Sequence, residues 1–354
     1  MGKRNKFGIY DGCNMKVGGA ALMEGVMMKN EDSVAMAVRT SDGNIQIIKK
    51  PAKSNAKRKL SKLPFIRGAY NLFESMIDSV YYLTKSAEFI DLEDENIPKK
   101  EKTSKKRNNF FEKVFKDRFM DIMMVVSVIV SLAFSIGLFM LLPRIIVELF
   151  GLEEIVLLKN IIEGAIRIGL FIGYILLSTR LKDIRRVFSY HGAEHKTIHC
   201  LEHNEELTVE NVRKYSTLHP RCGTAFMFFI MLISILLFSL LDLGLNAMGL
   251  SNIWVKLLIR VLFMPLLAGL TYEVTRWAMK SKLKVIRALN APGLAMQRLT
   301  TYEPDDEMIE IAIASVKAVL DKEVPYNTEE EIKEKIKASQ GLVRKKTEEA
   351  VKNV

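Results

Sequence analysis

An uncharged apolar run from Ile122 to Leu142 limits the folds open to this chain more than any other feature. At about 1.5 Å per helical residue it is long enough to cross roughly 30 Å of hydrocarbon. Backbone amides find no water in lipid, so a run of this kind crosses as a helix. A second run, Ala225–Leu241, is shorter but adequate. Two further stretches, Ile155–Thr179 and Ile253–Trp277, carry charges but have uncharged centres, Ile168–Thr179 and Val261–Tyr272.

The distribution of Lys and Arg decides between two spans and four. With two, the loop 143–223 would lie outside with eleven Lys/Arg, against an equally basic N-terminal region inside. With four, the outer loops LFGLEE and DLGLNAMGLSN are short and poor in Lys/Arg, and 180–223 faces the cytoplasm with eight. The sequence therefore predicts a mainly α, polytopic helical membrane protein of about four spans, located in the cell membrane with both termini cytoplasmic. Pro143-Arg144 is expected to end the first span. Lys159, Glu163 and Arg167, at i, i+4 and i+8, predict an intrahelical ion-pair ladder at the outer surface.

Around this bundle (109–280, with a cytoplasmic hairpin at 180–223) the chain divides into three other parts. Residues 1–62 form a small β-rich unit followed by a basic linker. Its glycines punctuate MKVGGAALMEGVMMK, and Asp42-Gly43 is a hairpin cue between SVAMAVRT and NIQIIKK. Glu24 stands among apolar neighbours, either as a partly exposed strand residue or as a carboxylate aimed at a site. Residues 63–108 hold an amphipathic helix, Pro64–Phe89, whose five charges argue against spanning, and a second basic run, Lys99–Arg107. Residues 281–354 form a cytoplasmic helical region in which Pro304-Asp305-Asp306 starts a helix.

The net charge of +11, concentrated in basic runs beside apolar ones, predicts the lipid bilayer and its anionic headgroups as the partner. No aromatics interleave with these runs, so no nucleic acid partner is expected. Three unevenly spaced cysteines give no disulfide framework and fit a reducing compartment. The basic N-terminus lacks an apolar core, so no cleavable signal peptide is expected.

All five histidines lie between Tyr190 and Gly223, with two of the three cysteines. Four positions on a helix turn about 40°. His191 and His195 therefore share a face and suit one metal ion, with Glu202 close to that face. His191-Gly-Ala-Glu-His195 matches the inverted zinc-protease pattern in which the Glu is a general base, although five residues do not establish a protease. Thr208 is an N-cap for a short helix expected to reach about Leu218, before Pro220. A helix–turn–helix there would return His219 and Cys222 to the first helix, and four N/S groups suit zinc. The alternative is that the histidines are cytoplasmic surface residues and Cys222 a small packing residue.

Several segments carry a resemblance: Gly19–Met28, Tyr190–Lys196 (YHGAEHK), Glu205–Val212, His219–Thr224 (HPRCGT), Pro292-Gly293, Leu299–Thr301 and Glu303–Asp305. They are similar to those of the bacterial domain of unknown function 1385 family, of YqhQ type, commonly labelled metal-dependent. The similarity covers about 15–320. It implies a polytopic membrane protein with a metal site at His191, His195, His219 and Cys222, and Glu194 as the catalytic residue. His199, Cys200 and His203 lie outside the pattern, and Ala21 replaces a more usual Gln. Three functions follow: a metal-dependent, hydrolase-like enzyme using a divalent ion such as zinc; a scaffold with a structural metal clip; or a small-solute transporter, disfavoured by few spans and no buried acid mid-span.

Overall fold

The computed structural model describes residues 17–40, 42–52, 63–90, 126–151, 156–220, 222–250, 252–280 and 284–339. The run Lys99–Arg107, most of the basic linker before Lys62, the start of the first apolar run and the tail beyond 339 lie outside the described residues. The chain is mainly helical and divides into two compact units, one of residues 1–92, 173–233 and 263–354, the other of 93–172 and 234–262.

The first unit is built on four antiparallel strands in chain order: β1 (Gly18–Leu22), β2 (Gly25–Lys29), β3 (Ser33–Arg39) and β4 (Ile45–Pro51). The Asp42-Gly43 cue does turn β3 into β4. Gly43 takes φ 91°, and the Thr40 amide donates to the Asn44 carbonyl at 2.9 Å. Pairing places Met27 opposite Met36 and Met36 opposite Ile48. Because side chains alternate along a strand, Val26, Met28, Ala35 and Ala37 bury against α4 (Lys182–Glu202) and α10 (Asp306–Leu320). Met27, Val34, Met36, Val38 and Ile48 bury on the other side, with Tyr82 and Phe89 of α1 (Ile66–Phe89) and with Ile332 and Ile336 of a helix at 329–339. Covering both faces requires apolar residues at successive positions, which is why GVMMK and SVAMAV read as unbroken apolar runs. Each buried Val, Met or Ile among them contributes roughly 1.5–3 kcal/mol by leaving water. The sheet does not stand alone, since its covering layers come from elements far along the chain. Asp305 caps α10 by accepting from the Met308 amide at 2.8 Å, as Pro304-Asp305-Asp306 predicts.

The other elements in chain order are α2 (Val126–Leu149), α3 (Val156–Ser178), α5 (Val209–Arg213), α6 (Gly223–Ala247), α7 (Ile253–Leu262), α8 (Met264–Lys280) and α9 (Lys284–Thr300). Three helical segments, Val126–Leu149, Leu158–Ser178 and Phe226–Ala247, are long and apolar enough to cross a membrane. The pair α7 and α8 passes the same test together but is bent by 49°. Pro265 lies at that break; it has no N–H, and its ring clashes with the carbonyl four residues back. Within the first unit, α1 packs on α8, where Arg67 Nε donates to Glu273 at 2.6 Å.

The second unit corrects two expectations. Pro143-Arg144 does not end the first apolar helix, which continues to Leu149 after a π-helical turn at Gly137–Leu141. Pro143 cannot donate to the Phe139 carbonyl, and Arg167 Nε does so instead at 2.8 Å. The intrahelical ladder is therefore not the arrangement found. Glu163 pairs across helices with Arg260 at 3.0 Å, and Arg260 also reaches Asp242 at 2.8 Å and Asn160 at 3.1 Å. All four are buried, so acids do lie inside two of the apolar helices, towards their ends.

Candidate metal centre

Helix α4 carries His191, His195 and His199 one turn apart, and its last two turns are almost wholly buried. The first unit fixes this helix at three places. Tyr190 Oη donates to Glu24 at 3.1 Å and Arg186 Nη2 donates to the same carboxylate at 2.7 Å. Glu24 is thus neither a strand residue nor aimed at the histidines; it sits in the β1–β2 turn with φ 49° and ties the turn to α4. Further along, Lys196 Nζ, buried, donates to Glu303 and to the Arg213 carbonyl. Between these two ties, Gly192 lets the Tyr302 backbone approach the helix.

The segment after α4 supplies the facing groups. Thr208 caps α5 as expected, accepting from the Asn211 amide at 3.3 Å. The helix stops at Arg213, however, rather than near Leu218. The irregular chain beyond it leaves the Thr217 and Leu218 carbonyls available, and His195 Nδ1 and His199 Nε2 (2.9 Å) bond to them. His191 Nδ1 bonds to the Thr300 carbonyl at 2.9 Å. Each ring thereby places one N–H on a backbone carbonyl and keeps one nitrogen lone pair, the arrangement that fixes tautomer and orientation in ligating histidines.

Two triads result. His191, His195 and Cys222 bring their ligand atoms within 4.8 Å of one another, and so do His199, Glu202 and His219. In the first, Cys222 Sγ is 3.3 Å from His191 Nε2, about the ligand–ligand edge of a four-coordinate zinc with bonds of 2.0–2.3 Å. In the second, His219 Nε2 is 3.4 Å from the Glu202 carboxylate. Of the four ligands expected from sequence, three come together and His219 groups with His199 and Glu202 instead. Its ring centroid is 5.6 Å from that of His195 and 4.6 Å from that of His199. His203 lies against Tyr215 at the exposed edge, with the rings tilted by 38°, and Cys200 is packed in the core, where burial pushes its thiol up to about 11.

Glu194 is the buried acid of the site. It lies 3.8 Å from His191 Nε2 and accepts the Gly19 amide. Desolvation raises its pKa, partly offset by His191 and His219. Desolvation also lowers the pKa of His195, His199 and His219, which favours their neutral, ligating forms. Gly19 additionally lines a cavity of about 310 Å³ with Gly18, Met27, Lys29 and Asp78. Sequence reasoning did not find Gln297. Its fully buried amide accepts from the His219 N–H and donates to the His219 carbonyl, both at 2.8 Å. Nothing in the spacing of AMQRLTT points to a residue 78 positions away.

A family model described as "Protein of unknown function (DUF1385)" matches residues 63–322, which include both triads but not the Gly19–Met28 segment. "Uncharacterized protein YqhQ" of Bacillus subtilis (strain 168) is 34% identical over 312 residues, 86% of this chain and 92% of that protein. No solved structure matches.

Proposed function

We propose, from the premise that the chain belongs to the DUF1385 family, that it is a multi-pass membrane protein with a metal-dependent, hydrolase-like site on the cytoplasmic membrane face. The single observation that carries this reading is the placing of Glu194, a buried carboxylate, 3.8 Å from an imidazole nitrogen that also meets Cys222 Sγ. His191, His195 and Cys222 would hold a divalent ion. Two imidazoles and a thiolate form a borderline-soft donor set that fits zinc. Three protein ligands leave a position open, as catalytic rather than structural sites do. When bound, the ion supplies Lewis acidity and lowers the pKa of water.

The chain's own residues do the rest. Glu194, whose affinity for a proton is raised by burial, would accept one as general base. The Gly19 amide holds that carboxylate in place, and the Thr300 and Thr217 carbonyls fix which nitrogen each histidine presents. The structural-clip reading has less support, because Gln297 already closes the segment at His219 without an ion. The cytoplasmic placement rests on the Lys/Arg of residues 180–223 and the poverty of Lys/Arg in the outer loops.

The test is X-ray absorption at the zinc edge of the full-length protein purified without chelators. Sulfur should appear in the first shell and vanish in Cys222→Ser, while Glu194→Gln keeps it. Wild-type protein with no more zinc than a His191→Ala/His195→Ala variant would end the proposal.

A further inference from the structure

We infer that His199, Glu202 and His219 form a second divalent-cation site beside the first, an inference that rests on the metal reading of His191, His195 and Cys222. The two sites share one helix face. His191, His195, His199 and Glu202 advance along α4 at i, i+4, i+8 and i+11, and the two triads divide them in sequence order. The chain after α5 then completes both, giving Cys222 to the N-terminal pair and His219 to the C-terminal pair.

The second triad shows the features of a built site. Its closest donors, His219 Nε2 and the Glu202 carboxylate, are 3.4 Å apart, again about the edge of a coordination tetrahedron with bonds near 2.0–2.2 Å. His199 is oriented through its bond to the Leu218 carbonyl. His219 is 4% exposed, and the fully buried Gln297 side chain fixes its backbone on both sides. A histidine that only paired with a surface acid would not need its main chain clamped from another helix.

The donor chemistry differs between the two. The first triad contains a thiolate, and the second has two imidazoles and a carboxylate, a set that takes zinc but also harder ions such as manganese or ferrous iron. The His195 and His219 ring centroids, one from each triad, are 5.6 Å apart, and the two triads share no residue.

The experiment is metal counting on full-length protein equilibrated with zinc and desalted, combined with the sulfur content of the zinc shell. Wild type should bind about two equivalents with on average about half a sulfur per zinc. His199→Ala and the isosteric Glu202→Gln should each leave about one equivalent, and the sulfur per zinc should double. Cys222→Ser should abolish sulfur while the Glu202-dependent zinc remains. One equivalent in wild type with a full sulfur per zinc, unaffected by Glu202→Gln, overturns the second site and leaves the first standing. No zinc in any variant removes both. Should His199→Ala fail to fold, the shape-preserving Glu202→Gln and the sulfur ratio decide.

Discussion

The carbonyl oxygen of Tyr302 occupies the space next to residue 192 that a side chain would need: a β-carbon built on Gly192 lies 2.0 Å from it. The backbones meet there because the Tyr302 amide also donates to the Phe188 carbonyl at 3.0 Å. In an ordinary helix interior, Gly→Ala gains roughly 0.5–1 kcal/mol. Here Gly192→Ala should instead cost about 1–3 kcal/mol, the range for overpacking against a backbone that cannot yield. Thermal unfolding of the detergent-solubilised protein checks the sign, and a stabilised variant would contradict the close approach.

Gln297→Leu keeps the approximate volume but deprives the buried His219 N–H and carbonyl of their partners. About 1–3 kcal/mol per unsatisfied group is the expected loss. If the clamp positions His219, the variant should also lose zinc from the Glu202-containing site before it loses zinc from the Cys222-containing one. Equal loss from both would show a general unfolding instead.

Phe73, Met76, Ile77 and Val80 of α1 are exposed and fall on one helical stripe, while Arg67 and Phe89 of the same helix are engaged with α8 and the sheet. We expect this stripe to lie in the bilayer interface. Spin labels at 76 and 77 in lipid nanodiscs should collide with oxygen more than with a water-soluble nickel reagent, and the reverse preference would place the stripe in water.

Asn204 takes φ 57° in the turn that follows α4, on the side of the chain assigned to the cytoplasm. In intact cells Asn204→Cys should resist a membrane-impermeant maleimide and react after permeabilisation, whereas cysteines at 151 and 247 should react from outside. Reaction at 204 in intact cells would rule out the four-span arrangement.

Glu329 accepts from Lys50 and from Tyr81 Oη at 3.1 Å, and these contacts hold its pKa below the ordinary glutamate value. A carboxylate depressed on folding contributes stability above its unfolded pKa and loses it as pH falls through the lower folded value. The pair is largely exposed, so only about 0.2–1 kcal/mol is at stake. Glu329→Gln should therefore be slightly less stable than wild type at pH 7, with the difference beginning to shrink below about pH 4 and vanishing only below the depressed folded value. A difference that persists in acid would assign it to packing.

The pairing of His191 with His195 was legible because helical period alone fixes it, and the caps at Thr208 and Asp305 were legible for the same local reason. His199 was set aside because it lies outside the motif, yet one more helical turn brings it to the same face. The pairing of His219 with Glu202 was not legible, since its direction is set by Gln297 from α9. Nor was the double burial of the sheet, whose second covering layer comes from Tyr82, Phe89, Ile332 and Ile336. The bond from Arg167 to Phe139 could have been anticipated from Pro143, which leaves a carbonyl without its usual helical donor.

Arg260 lies 97 residues after Glu163. At ribosomal speeds of about 5–20 residues per second, a nascent chain carries that acid for roughly 5–20 seconds before its counter-charge exists. Asp242, the other acid on Arg260, is made in the meantime and adds to the imbalance. Up to that moment the half-made second unit has negative charge without its partner, in helices that are otherwise apolar. Its final packing must therefore be completed from the C-terminal side, and a stop codon between residues 243 and 259 leaves a product that has both acids but lacks the arginine they share.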